Sequence, residues 1–290
     1  MWLLRFLASN ILYITWFMFY FLIAWWIFGA DLTALLTVFG IYAVSMSIAL
    51  SPVGEILLRV YQGCRLPLTE EETNYLLPIF EEVYQDAQEV NPSLNKGIQI
   101  YIMDAMYINA FAIGRQTITV TRGALTTFSR HELKGLLAHE LGHMAYGHTK
   151  ALLLTIVGNF LFTVIIFMFR IILKLLDIIS AVVGAFNILG SVFRIMTFVV
   201  KIFFEISIFV FENAGDFILS LNSRINEFQA DNFAYTIGFG KELISVLYIL
   251  QKISLNSKVS LKDKLKATHP HIAIRIQNLE HLENQAIAEE

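Results

Sequence analysis

The chain has 290 residues, 56% of them hydrophobic, with a mean hydropathy of +0.61, more apolar mass than a water-soluble domain usually buries. An integral membrane protein is therefore the first expectation. A formal net charge of -3 and a pI near 6.2 supply no basic field, which excludes nucleic acid as an expected partner. Cys64 is the single cysteine, so no intramolecular disulfide or thiolate cluster can form, and a metal site has to use histidines and carboxylates.

Residues 11–28, ILYITWFMFYFLIAWWIF, carry no charge and are long enough to cross about 30 Å of hydrocarbon. The run is too long for a signal peptide and no A-x-A-like site follows it, so it reads as a transmembrane helix. After the break GAD, residues 32–50 form a second uncharged run. Trp16, Tyr20, Trp25 and Trp26 suit interfacial anchors. Residues 1–50 are thus expected to form a membrane hairpin.

Residues 51–150 return to the character of a soluble domain. Thr69 and Glu72 have capping-box spacing, and Leu76, Phe80, Val83 and Ala87 then share one helix face. GIQIYIMD and TITVTRG are β-rich and flank NAFAIGRQ, whose Gly114 suits a turn, so a small sheet is expected there. Ser129 and Glu132 repeat the capping-box spacing and predict a helix start just before LLAHELGHMAYGHTK. Residues 151–211 form a second hydrophobic block, interrupted by Arg170, Lys174, Asp177, Arg194, Lys201 and Glu205, and two crossings fit it. Residues 212–290 are again polar, with helices expected near 222–237, over 241–253 and after THPH.

His139, Glu140 and His143 make the pattern H-E-x-x-H. Positions i and i+4 share a helix face, so two imidazoles can converge on one ion while Glu140 flanks it. His131 begins the same way, but Gly135 stands where the second ligand would be, so His131 reads as a surface residue. His148 invites a third-ligand reading of the metzincin kind, which wants Gly at position 146 and His at 149; the chain has Tyr146 and Thr149. On a continuing helix, nine residues at about 100° each would turn His148 away from the metal, which leaves it a helix-end or membrane-interface role. The alternative is a carboxylate from a distant helix. NSRINEFQADNFAYTIG offers Glu227 and Asp231 at i, i+4, one to ligate and one to accept an N-H from a ligating imidazole.

AHELGH, SRINEFQAD, NAFAIG and THPHIAIRI occur in the order that resembles the HtpX-type membrane metallopeptidases. That gluzincin family is related to the CAAX prenyl endopeptidases and more distantly to thermolysin-like enzymes. The resemblance implies a mainly α integral membrane protein, with four transmembrane helices in two hairpins and an α+β zinc protease domain carrying a small edge-exposed sheet. It implies one Zn²⁺ held by His139, His143 and Glu227, with Glu140 as general base and Asp231 orienting a zinc histidine. It further implies that Asn109 and Ala110 bind the substrate main chain by strand addition, that His269 steadies the oxyanion, and that Arg275 braces the site.

Two histidines and Glu227 can meet only if the block at 151–211 crosses the membrane an even number of times. Arg5, Arg59 and Arg65 flank the first hairpin on the domain side while GAD carries no positive charge, which predicts a cytoplasmic domain. Arg194, near mid-span, is expected to face a cavity or a neighbouring helix. The expected protein is a membrane-anchored zinc endopeptidase, and the family resemblance implies a bacterial inner or plasma membrane and the degradation of misfolded or damaged membrane proteins. A signalling protease with a dedicated substrate and a non-catalytic zinc-stabilised scaffold are the alternatives.

Overall fold

The computed structural model describes residues 11–150, 153, 160–184, 188–255 and 272–289; Arg5 and His269 lie outside these. Helices α1, Ile11–Ile27, and α2, Leu32–Leu50, pack through Ala24, Val38 and Tyr42. The turn between them uses positive φ at Gly29 and Ala30, and Asp31 closes it by accepting from Ala34 N at 2.6 Å. Ser51 ends α2 and caps α3, Pro52–Gln62.

The domain that follows is built on strands β1, Cys64–Arg65, β2, Gln99–Met103, β3, Ala110–Ile113, and β4, Thr117–Thr121, in the order β1-β2-β4-β3. β2 and β4 run parallel, β1 and β3 pair antiparallel at the two edges, and β4 is buried along its whole length. The β-rich segments of the sequence coincide with β2 and β4 and the family resemblance with β3, while β1, two residues long, has no sequence signal. Helix α4, Glu70–Val90, packs under the sheet on the predicted face, with Leu76, Phe80, Val83 and Ala87 all buried.

The Thr69–Glu72 box is only half made. Thr69 Oγ1 accepts from Glu72 N at 3.1 Å, but the Glu72 carboxylate accepts from Leu68 N and from Arg65 and Arg122 instead of turning back to Thr69. Charged donors outcompete a single backbone N-H for that carboxylate. The short helix α5, Arg122–Thr127, leads to α6, Arg130–Tyr146. There the box is complete, with Ser129 N donating to Glu132 Oε2 at 2.7 Å and Glu132 N to Ser129 Oγ at 3.4 Å.

Two further helices complete the apolar part: α7, Phe160–Gly184, and α8, Ile188–Thr236. They pack on each other, with a 2.7 Å ion pair between Lys201 and Asp177, and they contact α2 and α1 respectively. The four spans expected from the sequence reduce here to one clear case: among the described residues, Leu32–Leu50 alone is both long and apolar enough to cross. α1 is short at 17 residues, and charges interrupt α7 and α8. Arg194 is exposed.

α8 runs unbroken for 49 residues, straight through the expected boundary at 211/212. That boundary is a change of side-chain composition, and the backbone does not register it. Helices α9, Gly240–Leu255, and α10, Ile272–Glu289, then pack beside α6 and α8.

α6 meets its neighbours through glycines. A Cβ on Gly142 would lie 2.8 Å from Ala230 Cα on α8, and one on Gly135 would lie 2.4 Å from Leu243 N on α9. The backbones themselves are in contact, so no side chain can yield. Gly142→Ala is expected to lower stability by about 1–3 kcal/mol through overpacking. Gly40→Ala on α2, where a Cβ meets nothing within 4 Å, is the control and should cost nothing. Thermal unfolding of both variants in detergent checks the difference.

Candidate metal centre

The close approach at Gly142 places one turn of α6 against one turn of α8. His139 and His143 project from the first, and Glu227 and Asp231 from the second. His139 Nε2 and His143 Nε2 lie 3.2 Å apart, and each is 3.4 Å from a Glu227 carboxylate oxygen. One ligand atom from each of the three residues can be chosen so that all lie within 4.8 Å of one another. His139 Nδ1 donates to Asp231 Oδ1 at 2.9 Å, which leaves Nε2 as the face turned to His143 and Glu227.

Two imidazoles and one carboxylate form a borderline donor set that suits Zn²⁺. Among the described buried residues here, the carboxylates of Glu140, Glu227 and Asp231 stand against the guanidinium of Arg275. That balance suits a divalent cation.

Arg275 reaches in from α10. Its Nε and Nη2 make a two-pronged contact with Asp231 at 2.8 and 2.6 Å, and its Nη1 lies 2.7 Å from Glu227 Oε2. Nη2 is also 3.4 Å from His139 Nδ1. Only the tail motif hinted at this role, because no spacing links position 275 to position 231.

The cluster's electrostatics favour a cation at His139. Burial alone would lower the His139 pKa, but the charge of Glu227 and the bond to Asp231, opposed by Arg275, hold it up to about 10. Burial pushes Glu227 upward as well, yet Arg275 and then His139 pull it well below the usual carboxylate range. A proton and a metal ion compete for the same imidazole lone pair.

His148 stands differently from the sequence expectation. α6 ends at Tyr146, and Gly147, at φ 77°, is its left-handed cap. The chain therefore doubles back, and His148 does not continue the helix to the far side. Its Nδ1 lies 3.0 Å from His143 Nδ1, and its Nε2 lies 2.9 Å from Gln229 Oε1. Burial, then the neighbouring His143, push its pKa down to about 3, so it is neutral.

A neutral His148 that donates from Nε2 to the Gln229 carbonyl must accept at Nδ1. His143 then donates from Nδ1 and turns its Nε2 toward Glu227. The glycine after Tyr146 carried this signal, and treating the helix as continuous concealed it. His131 is exposed, as expected for the decoy.

Glu140, next to His139, is 7% exposed and close enough to Arg275 to act on its charge. β3 lies beside α6 at the sheet edge. Asn109, just before it, has its main chain turned inward: its N donates to Thr121 Oγ1, and its carbonyl accepts from both Thr121 N and Thr121 Oγ1. Its side chain is exposed. Antiparallel alternation from that pair turns the N-H and C=O of Ala110 and Ala112 toward the open edge. The family resemblance singles out Asn109 and Ala110, whereas the register puts Ala110 and Ala112 at that edge and Asn109 against β4.

A protease HtpX homolog of Dictyoglomus thermophilum is 39% identical over 94 residues, 31% of this chain and 28% of that protein. Protease HtpX of a Buchnera aphidicola from Acyrthosiphon pisum is 32% identical over 206 residues, 64% of this chain and 69% of that protein. The chain thus matches about a quarter of the first relative's length and about two thirds of the second's. The crystal structure of S. mikatae Ste24p aligns over 91% of this chain and 61% of its own, at 19% identity and a TM-score of 0.48. A model of peptidase family M48 matches residues 70–283, a span that holds every described member of the cluster, and the chain belongs to that family.

Proposed function

We propose that the chain is a membrane-anchored zinc endopeptidase that works in proteolytic quality control of misfolded or damaged membrane proteins. The observation that supports the proteolytic part of this reading is the convergence of two imidazoles of α6 and the buried Glu227 carboxylate of α8 beside Glu140. His139, His143 and Glu227 would hold the metal. Bound Zn²⁺ supplies Lewis acidity toward a carbonyl and brings the pKa of water toward about 7.

Glu140 takes the proton of the water attacking the scissile carbonyl and delivers it to the leaving amine. The open edge at Ala110 and Ala112 pairs with an extended substrate, and the exposed Asn109 amide meets it at the strand's start. Asp231 and the Gln229–His148 pair hold the two imidazoles in the tautomer a metal needs. His269 completes the set by resemblance, as the group that steadies the oxyanion.

The membrane part of the proposal takes α1 with α2, and α7 with the first half of α8, as two crossing hairpins. Phe167, Leu175, Phe198 and Phe203 are each more than half exposed on α7 and α8, a surface that lipid suits and water does not. An even number of crossings returns α8 to the side of α6, as the contact between them requires. Arg59 and Arg65 then lie on the cytoplasmic side of a bacterial inner or plasma membrane.

Glu140→Gln is expected to bind zinc stoichiometrically while its cleavage of unfolded casein falls by about 10²–10⁴-fold. Cleavage retained by a metal-loaded variant removes Glu140 as the base, and zinc without cleavage in the parent protein returns the scaffold reading. Gln229→Leu should weaken zinc binding about 10–100-fold in a chelator competition. Unchanged affinity would mean that His143 is oriented without His148. In a Cys64→Ser background, Asp31→Cys and Lys241→Cys should react with a membrane-impermeant maleimide from opposite sides of the membrane; reaction from one side overturns the topology.

A further inference from the structure

α3 is an amphipathic helix set the wrong way round for a water-soluble surface. Val53, Ile56, Leu57 and Val60 follow the i, i+3, i+4, i+7 spacing of one helix stripe. All four are exposed, from 46% at Ile56 to 73% at Val60, and Tyr61 beside them is 84% exposed. Leu66 and Leu68, just beyond β1, are exposed as well. The other side of α3 faces protein: Gly54 and Glu55 are buried, and Arg59 bonds to Tyr101 of β2.

What covers the stripe follows from where α3 begins. Only Ser51 separates it from α2, the helix long and apolar enough to cross a membrane. The stripe thus emerges at the level where that span leaves the hydrocarbon, and it carries no charge. We infer that α3 lies in the membrane-water interface with Val53, Ile56, Leu57 and Val60 in lipid, and that it fixes the peptide-binding edge at the bilayer surface.

Glu55 is the link between that helix and the edge. Its Oε2 accepts from Arg115 N at 3.0 Å, and its Oε1 accepts from Gln116 N at 3.0 Å and Thr117 Oγ1 at 2.6 Å. These groups form the turn joining β3 to β4. Gly114, at φ 59°, lets the carboxylate in: a Cβ there would stand 2.6 Å from Glu55 Oε2. From the opposite side, Thr149 Oγ1 donates to Gly114 O at 2.6 Å, two residues past the cap of α6. One buried carboxylate therefore joins a lipid-facing helix to the turn that ends β3, and that turn is tied to the helix bearing His139 and His143.

The consequence rests on the proteolytic reading of the centre. A site held at a fixed height over the bilayer selects polypeptide that leaves the membrane close by, so the substrate class is the juxtamembrane segment of membrane-embedded chains. Soluble unfolded chains reach the same edge without the advantage of tethering.

The placement is tested on the full chain in phosphatidylcholine/phosphatidylglycerol vesicles, with Cys64→Ser and single spin labels at Val53→Cys, Leu57→Cys, Val60→Cys and Gln62→Cys. The labels at 53, 57 and 60 should be reached by oxygen and shielded from a nickel chelate, with the reverse at 62. Chelate access at the stripe overturns the inference, as does exclusion of both reagents, which would mean a protein partner covers it.

The substrate class is tested with cleavable segments placed at increasing distance from a transmembrane helix. Cleavage should fall severalfold with distance, and Leu57→Glu with Val60→Glu should abolish that preference while casein cleavage persists. Distance-independent cleavage overturns the substrate class. A parent protein that cleaves neither substrate defeats the proteolytic reading and its substrate class, while the labels still decide where α3 lies.

Discussion

The backbone contact between α6 and α8 at Gly142 and Ala230 is the constraint on which the rest depends. Helix axes usually pack about 8–10 Å apart, with side chains filling the gap. Here a glycine removes that spacer, so short side chains one turn to either side meet across the interface. Gly142 lies between the two candidate ligands of α6, and Ala230 lies between Glu227 and Asp231 on α8. Small residues set the distance, and polar residues flanking them use it.

Bringing three carboxylates and three imidazoles together inside a domain is expensive. Each charge loses its water, and an unpaired carboxylate at this depth would take up a proton rather than stay charged. Arg275 answers most of that cost, because a planar guanidinium can bind two carboxylates at once while remaining charged. The remaining polarity suits a cation at the imidazoles. The apolar core of α4, β4, α6 and α9 packs around the cluster and fixes the rotamers of its side chains. The site's cost is met by a core that bears no part of the chemistry.

How much of this was legible in the sequence depended on whether the signal was local. The capping box at Ser129 and the buried stripe of α4 are local patterns, and both were readable. His139 with His143, and Glu227 with Asp231, were each legible as i, i+4 pairs. Their meeting was not, because periodicity holds no information about distance in space; the family resemblance supplied it. Glu55 carries no local signal of its role, because nothing in its surroundings announces a turn some sixty residues on. His148 was misplaced for a different reason. Gly147 is a stop signal, and giving it the weight of a helical residue turned the imidazole to the wrong side.

The unbroken course of α8 joins the membrane and the chemistry more tightly than a chain of separate domains would. Forty-nine residues make roughly 70 Å of helix, against about 30 Å of hydrocarbon. On the proposed topology its first half lies in lipid and its second half carries Glu227 and Asp231. No loop separates the two halves. α3 reaches the other side of the same centre through Glu55 and the β3–β4 turn. On that topology the carboxylates are referred to the bilayer by α8 and the β3–β4 turn by α3, so two helices of one membrane set the two sides of the centre against each other.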